Sequence, residues 1–216
     1  MDALALEPID NPTALRIIDA AAQLFLQRGY TAVSITDIIR AAEVTKPTMY
    51  YYFADKEELF LHTGLRVLSQ MGAELQATLR TPGGVARRLH ALAATMMRDR
   101  NRDMRLMRHE MFEHLSLSHR RHLAYAFNVH VFALIQQLMT EGLAHGELSR
   151  FPATTLTMMF MGMCESFMEF AGSDTSGEWS ASVDSPGAPI LTPDTLVDLF
   201  LHGAGGALNE PSLGPA

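Results

Sequence analysis

The sequence predicts an all-α protein of about nine helices, with an N-terminal three-helix head and a larger helical body. Three observations carry that prediction. Apolar residues recur at three- and four-residue spacing almost throughout, the period of helices with one buried face. Alternating apolar and polar runs rich in Val, Ile and Thr do not recur, so strands have no signal. Start and stop signals punctuate the periodic stretches at helical lengths.

Taken in order, residues 13–28 read as a first helix with Ile17, Ala21, Leu24 and Phe25 on one face and Gly29 as its stop. Ser34 opens a short helix. Asp37, three residues on, makes a capping box with a shorter acid, and Ile35, Ile38, Ile39 and Ala42 are its apolar positions. The connection Ala42–Thr45 follows. Thr45 caps a helix over Lys46–Phe53, with Pro47 tolerated in its first turn. Asp55 with Glu58 opens a long helix running to about Arg80.

Thr81-Pro82-Gly83-Gly84 is the clearest internal break. Helices are then expected over 85–99, 102–115, 119–142, 153–171 and 194–208. Residues 172–193, full of Ser, Asp, Gly and Pro, read as a surface loop, and the tail NEPSLGPA as frayed. The expected domains are 1–54, which binds DNA, and 55–216, which binds an effector and dimerises. A connecting helix from about 55 to 80 joins them.

Composition bounds what such a chain can do. With 216 residues, 48% of them hydrophobic and 19% charged, it can bury a core without disulfides, and disorder over most of its length is excluded. The single cysteine, Cys164, excludes a disulfide within the chain and fits a reducing compartment. No run approaches the roughly 20 apolar residues of a membrane span, and the acidic start MDALALEPID lacks the basic opening of a signal peptide. A soluble cytoplasmic protein is expected. The net charge of −7, taken alone, argues against coating nucleic acid or an anionic membrane. Two oddities remain: 14 methionines, and only two lysines, Lys46 and Lys56, among 17 basic residues.

Two short helices joined by a tight turn and packed on a preceding helix make a helix–turn–helix. The N-terminal residues of its second helix meet base edges in the DNA major groove. Here those are Thr45, Lys46, Pro47 and Thr48. Lys46 can reach a guanine edge or a phosphate, and a Thr methyl or Pro ring can meet a thymine methyl. Tyr50 and Tyr51 can donate hydroxyls to phosphates. Lys56, in the first turn of the next helix, joins that helix's free N–H groups in favouring a phosphate.

The stretch ALRIIDAAAQLFLQRGYTAVSITDIIRAAEVTKPTMYYYFADKEELF resembles the DNA-binding domain of the TetR/AcrR-type transcriptional repressors. The likeness lies in Ala22, Leu24 and Phe25, then Gly29-Tyr30, then Ser34-Ile35-Thr36-Asp37-Ile38. Thr48-Met49-Tyr50-Tyr51-Tyr52-Phe53 and Lys56-Glu57-Glu58-Leu59-Phe60 complete it. The resemblance implies a homodimer with a variable C-terminal half that binds a small molecule. It places Thr36, Lys46, Pro47, Thr48, Tyr50, Tyr51 and Lys56 at DNA-contact positions. Two departures stand out: Glu43 occupies a turn position commonly held by Gly, and Pro47 replaces a more usual Gly. A left-handed Glu43 would cost about 1 kcal/mol relative to Gly. Ile38, Met49 and Phe53 are expected in the core, and Tyr52 divides evenly between packing and phosphate contact.

From Arg80 to Arg121 ten arginines face four acids, whereas residues 1–63 hold five bases against nine acids. Solvated helix faces account for the arginines, with an anionic ligand or pairing to the acidic head as the sharper alternative. His109, His114, His119, His122 and His130 cluster nearby. The His119/His122 spacing suits two metal ligands, but no Cys is near and the segment is cationic, so no metal is expected. Thioethers line adaptable pockets. The candidate effector pocket is Met97, Met107, Met111, Phe127, His130, Phe160, Met163 and Phe167, with Tyr125 and Glu165 as further polar candidates. The helix 153–171 is apolar nearly all round and needs cover on two sides. With the last helix it is expected to form a four-helix dimer interface through Met161, Met168, Leu196 and Phe200.

The sequence therefore predicts a homodimeric, DNA-binding transcription regulator, a repressor released from a palindromic double-stranded operator by a small, largely apolar effector. A regulator without such an effector, controlled by a protein partner, stays open beside it. No catalytic Ser-His-Asp order, P-loop or GxGxxG occurs, so no enzyme activity, cofactor or membrane partner is expected.

Overall fold

The computed structural model describes residues 6, 9–98, 104–149, 151–171 and 192–203, all but 98, 104–108 and 168–171 with their side chains. Every regular element among them is helical. In chain order these are α1 (Pro12–Arg28), α2 (Ile35–Ala41), α3 (Lys46–Tyr52), α4 (Lys56–Leu79), α5 (Val85–Arg98), α6 (Met104–His114) and α7 (Leu117–Phe127). A π-helical turn (Asn128–Phe132), α8 (Ala133–Ala144), α9 (Ala153–Ala171) and α10 (Pro193–His202) follow. The described chain forms two compact units, 1–77 with 99–135 and 78–98 with 136–216.

In the first unit, α1 begins where Asn11 Oδ1 accepts the N–H groups of Thr13 and Ala14 and Pro12 fills the first position. It ends at Gly29, whose φ of 79° stops it, a conformation a Cβ resists. The Ser34–Asp37 box forms in both directions, and Thr45 caps α3. Asp55 Oδ1 accepts the Glu58 N–H at 2.8 Å while Glu58 accepts the Ala54 N–H at 2.6 Å. Ala14, Ile17, Ile38, Met49, Phe53, Leu59 and Phe60 are buried together as the core of the head and the start of α4. Tyr52 is half-buried.

The rod expected over 119–142 begins at Leu117, capped by Ser116, and is interrupted by the π-turn. The wide turn adds a residue to the register, so the buried positions step by five from Ala126 to Val131 instead of by three or four. Its main chain runs close to α4 at Gly72, where an added Cβ would lie 2.7 Å from the His130 carbonyl oxygen.

In the second unit, α10 packs on α5 and α9. Val85, Leu89, Leu92, Leu138, Met139, Leu156, Phe160, Cys164, Leu196 and Val197 form the core. Glu147 accepts the free N–H of Val85 at the start of α5 at 2.8 Å, and Arg88 pairs with Glu141 at 2.7 Å. The last helix stops at His202, short of the expected 208, because Gly203 adopts φ 74° and its N–H returns to the Leu199 carbonyl. The expected loop at 172–193 lies outside the described residues except for 192 and 193, and the tail lies wholly outside them.

Candidate nucleic-acid interface

The turn between α2 and α3 closes through Ala42 N–H to Ile38 O at 2.8 Å and Val44 N–H to Ile39 O at 3.1 Å. Glu43 sits at its apex with φ 52°, so the left-handed conformation considered for that position is the one it adopts. Thr45 Oγ1 accepts the Thr48 N–H at 3.3 Å and lies 2.8 Å from the Thr48 hydroxyl. Thr48 is therefore half-buried and its hydroxyl already engaged.

Met49 and Phe53 turn inward, the helical period carries Pro47 and Tyr51 to the opposite side, and Tyr50 and, at the helix start, Lys46 are exposed as well. Tyr51 is the most open, at 81% exposure. Lys46 Nζ lies 5.9 Å from the Tyr50 ring centre. Thr36 is exposed on α2, as is Thr45 at the α3 cap. The seven residues of α3 fit a major groove about 12 Å wide. Asp37 offers little to DNA. Its carboxyl is held by Ser34 hydrogen bonds, chiefly from the side chain, which lower its pKa.

Lys56 departs from expectation. Its ammonium is not directed outward toward a phosphate: Nζ donates to the Tyr30 carbonyl at 2.5 Å and stands 4.0 Å from the Tyr30 ring centre. Burial pulls its pKa below the ordinary lysine value, with the charge of Glu110 opposing. The Tyr30 N–H in turn donates to Glu110 of α6. His114 stacks on the Tyr30 ring at 4.9 Å and its Nε2 lies 3.1 Å from Thr31 Oγ1. Glu57 accepts the Ser116 N–H at 2.7 Å and faces His119 Nδ1 at 2.8 Å. The Ser116 hydrogen bond is the chief reason its pKa falls below the usual carboxylate range. His119 is thus committed to a carboxylate rather than held ready beside His122.

The candidate effector residues scatter. In the first unit Met111 is half-buried beside Gly64 and Leu123, Phe127 is exposed, and His130 is half-buried against Gly72. Tyr125 is half-buried. The Met107 side chain lies outside the described residues. In the second unit Met97 is buried, and Phe160 is fully buried edge-on to Phe200 at 5.3 Å. Met163 and Phe167 do meet, but on an open depression of about 400 Å³ with Met158, Met159, Gly162, Ser166 and Leu199. Cys164 is buried and its thiol is pushed up to about 12 by desolvation, which removes nucleophilic character.

The dimer residues need a correction. Leu196 is fully buried within its own chain, because it faces the core shared by α5, α9 and α10. Phe200 is half-buried against Phe160, Met161 is half-buried, and the Met168 side chain lies outside the described residues. Among the described side chains of α9 and α10, the exposed large apolar ones are instead Met158, Met159 and Leu199, at 64%, 45% and 36%. The two rows are visible in the sequence, though not which of them the chain's own helices cover. Leu156, Phe160 and Cys164 form one i+4 row that faces inward. Met158, Gly162 and Ser166, with Met159 and Met163 beside them, form the row that faces away.

Residues 17–63 match the model of the bacterial regulatory proteins of the tetR family. The chain is 34% identical over 96 residues to the HTH-type transcriptional regulator AcrR of Shigella flexneri, covering 42% of this chain and 45% of that one. It spans less than half the length of the curated relatives it matches. Along most of its length it is similar in fold to a TetR/AcrR-family regulator from Thermobifida fusca. That likeness has TM-score 0.66 at 26% identity, over 91% of this chain and all of that one. FadR from Bacillus subtilis, solved in complex with stearoyl-CoA, aligns with TM-score 0.68 at 16% identity, over 88% and 99% of the two chains.

Proposed function

The chain belongs to the TetR/AcrR-type regulators, and on that premise we propose that it is a homodimeric transcriptional repressor acting on double-stranded DNA in the cytoplasm. The observation that carries the reading is the outward face of α3. Lys46, Pro47, Tyr50 and Tyr51 project from a helix whose other side, Met49 and Phe53, is anchored in the core. Lys46 and Pro47 sit where base edges are read, and Tyr50 and Tyr51 where phosphates are held. Thr36, Thr45 and Thr48 flank them. The relatives are named as transcriptional regulators rather than enzymes.

The second copy covers the α9–α10 depression. Met158, Met159, Met163, Phe167 and Leu199 give it an apolar lining, and Gly162, with open space around its Cβ position, admits a close helix. Two α3 helices in a dimer then reach successive major grooves about 34 Å apart on a palindromic operator. A small, largely apolar effector releases the protein by preferring a dimer with a different spacing; it shifts the balance only by its differential affinity. FadR from Bacillus subtilis, of the same fold, was solved with stearoyl-CoA, whose acyl chain, though not its charged coenzyme A part, is a precedent for an apolar effector.

The test is selection of genomic duplex fragments by the full-length protein, followed by anisotropy titration of the recovered duplex. Specific binding that Lys46→Ala weakens, with an altered selected sequence and a salt slope lower by about 1, supports the reading. No binding above that to a scrambled duplex refutes it.

A further inference from the structure

Tyr30 is held by more elements than its place in a loop requires. Its ring packs against Phe25 of α1 at 5.7 Å, Phe60 of α4 at 4.7 Å and His114 of α6 at 4.9 Å. Both polar groups of its main chain are engaged by charged side chains of α4 and α6, the two helices that also supply Phe60 and His114. Lys56, at the start of α4, takes the carbonyl, and Glu110, on α6, takes the N–H. The preceding residue is Gly29, held at φ 79°, and a Cβ there would lie 2.6 Å from a Glu110 oxygen, so the carboxylate would have to shift. The carboxylate thus fits against bare backbone at the point where α1 hands the chain on to α2.

We propose that Lys56 and Glu110 are a pair of positioning residues that grip the Tyr30 main chain and set the orientation of α2 and α3, and that neither touches DNA. The proposal rests on the DNA-binding reading above. The geometry leaves the Lys56 ammonium committed and half-buried, whereas Lys46 at the start of α3 is exposed. The two lysines of the chain therefore divide the work: one faces the groove and the other fixes the angle at which it is offered. Glu110 makes the head answerable to α6, because any displacement of that helix must carry the Tyr30 N–H with it or break a charge-assisted hydrogen bond.

The ionic-strength dependence of binding separates the two roles, since only a residue neutralising a phosphate releases a counterion. The experiment uses the full-length protein and the duplex recovered by selection, with Lys46→Ala as the phosphate- and base-contact control. Lys56→Met and Glu110→Ala are each expected to weaken binding about tenfold, the worth of one charge-assisted hydrogen bond, with the wild-type salt slope retained. The double variant should lose little more than either single one, because both act on one peptide. Repeating the selection with each variant should broaden the spacing between half-sites while leaving the preferred bases unchanged. A defect confined to folding would lower the active fraction without moving that spacing. Glu110→Gln, which keeps an acceptor oxygen, should recover most of the loss and serves if Glu110→Ala fails to fold. A slope lower by about 1 in Lys56→Met returns Lys56 to the phosphate contacts and overturns the proposal. Wild-type affinity in Glu110→Ala, with wild-type spacing, overturns it as well. Failure of the wild-type protein to select any DNA is a separate result and refutes the underlying reading.

Discussion

Replacing Glu43 by Gly should stabilise the protein, and the size of the effect follows from one angle. Glu43 holds φ 52°, where the Cβ of an L-residue crowds the following carbonyl at a cost of about 1–2 kcal/mol. Glycine removes that crowding but brings extra freedom to the unfolded chain, which costs back about 0.4–1 kcal/mol. The net gain is about 0.5–1 kcal/mol, or a rise of about 1–4 °C in Tm for a chain of this size. The turn's hydrogen bonds, Glu43 N–H to Arg40 O and Val44 N–H to Ile39 O, are main-chain and survive the change. The assay is thermal unfolding followed by far-ultraviolet circular dichroism, with Glu43→Ala in parallel. Alanine also removes the carboxylate but keeps a Cβ, so it should show no gain. Equal stabilisation by the two variants would place the cost in the charge and refute the backbone argument, and a lower Tm for Glu43→Gly would refute it outright. Both variants also remove an exposed negative charge from the turn ahead of α3, so both should tighten DNA binding to a similar degree at low salt.

Met159→Asp should convert a dimer into monomers in analytical ultracentrifugation, whereas Leu196→Ala should cost about 2–5 kcal/mol of stability and leave association unchanged, since Leu196 is buried in its own chain. A dimeric Met159→Asp would remove the α9–α10 depression as the interface. Glu57 carries a lowered pKa, so its contribution to stability is present above the unfolded value of about 4.3 and is lost as pH falls through the folded one. Acid titration of Glu57→Gln should therefore show a shallower loss of stability below about pH 4.3 than wild type; an identical profile would mean the Ser116 contact contributes nothing. Cys164, buried with its thiol pushed up to about 12, should resist a thiol-reactive disulfide reagent at neutral pH until the protein is unfolded, and rapid native labelling would contradict that burial.

The head was legible because its determinants are local. Ser34 with Asp37, Thr45 with Thr48, Asp55 with Glu58 and the stop at Gly29 lie within five residues of what they organise. Ile38, Met49 and Phe53 sit at helical spacing that admits one inward face. The left-handed Glu43 is another matter: only the family resemblance, which commonly has Gly at that turn position, drew attention to it. The second unit was legible only in part. Periodicity identified α9 as apolar on most sides, but it could not say which row its own neighbours would cover. That depended on α5 and α10 packing over Leu156, Phe160 and Cys164 and leaving Met158 and Met159 outside.

Sequence alone therefore determined the helices of the head, the caps at Ser34, Thr45 and Asp55 and the outward residues of α3, all of which are set by hydrogen bonds and side-chain periods within a few residues. Tertiary structure alone decided the partners of Tyr30, the inward turn of Lys56, the π-turn against Gly72 and the burial of Leu196. Each of these joins residues far apart in the chain, Tyr30 and Glu110 by 80 positions. A lysine at a helix start reads the same whether its charge meets a phosphate or a carbonyl. Only the approach of Tyr30 to α4 and α6 distinguishes the two, because that approach is made by packing rather than by local pattern.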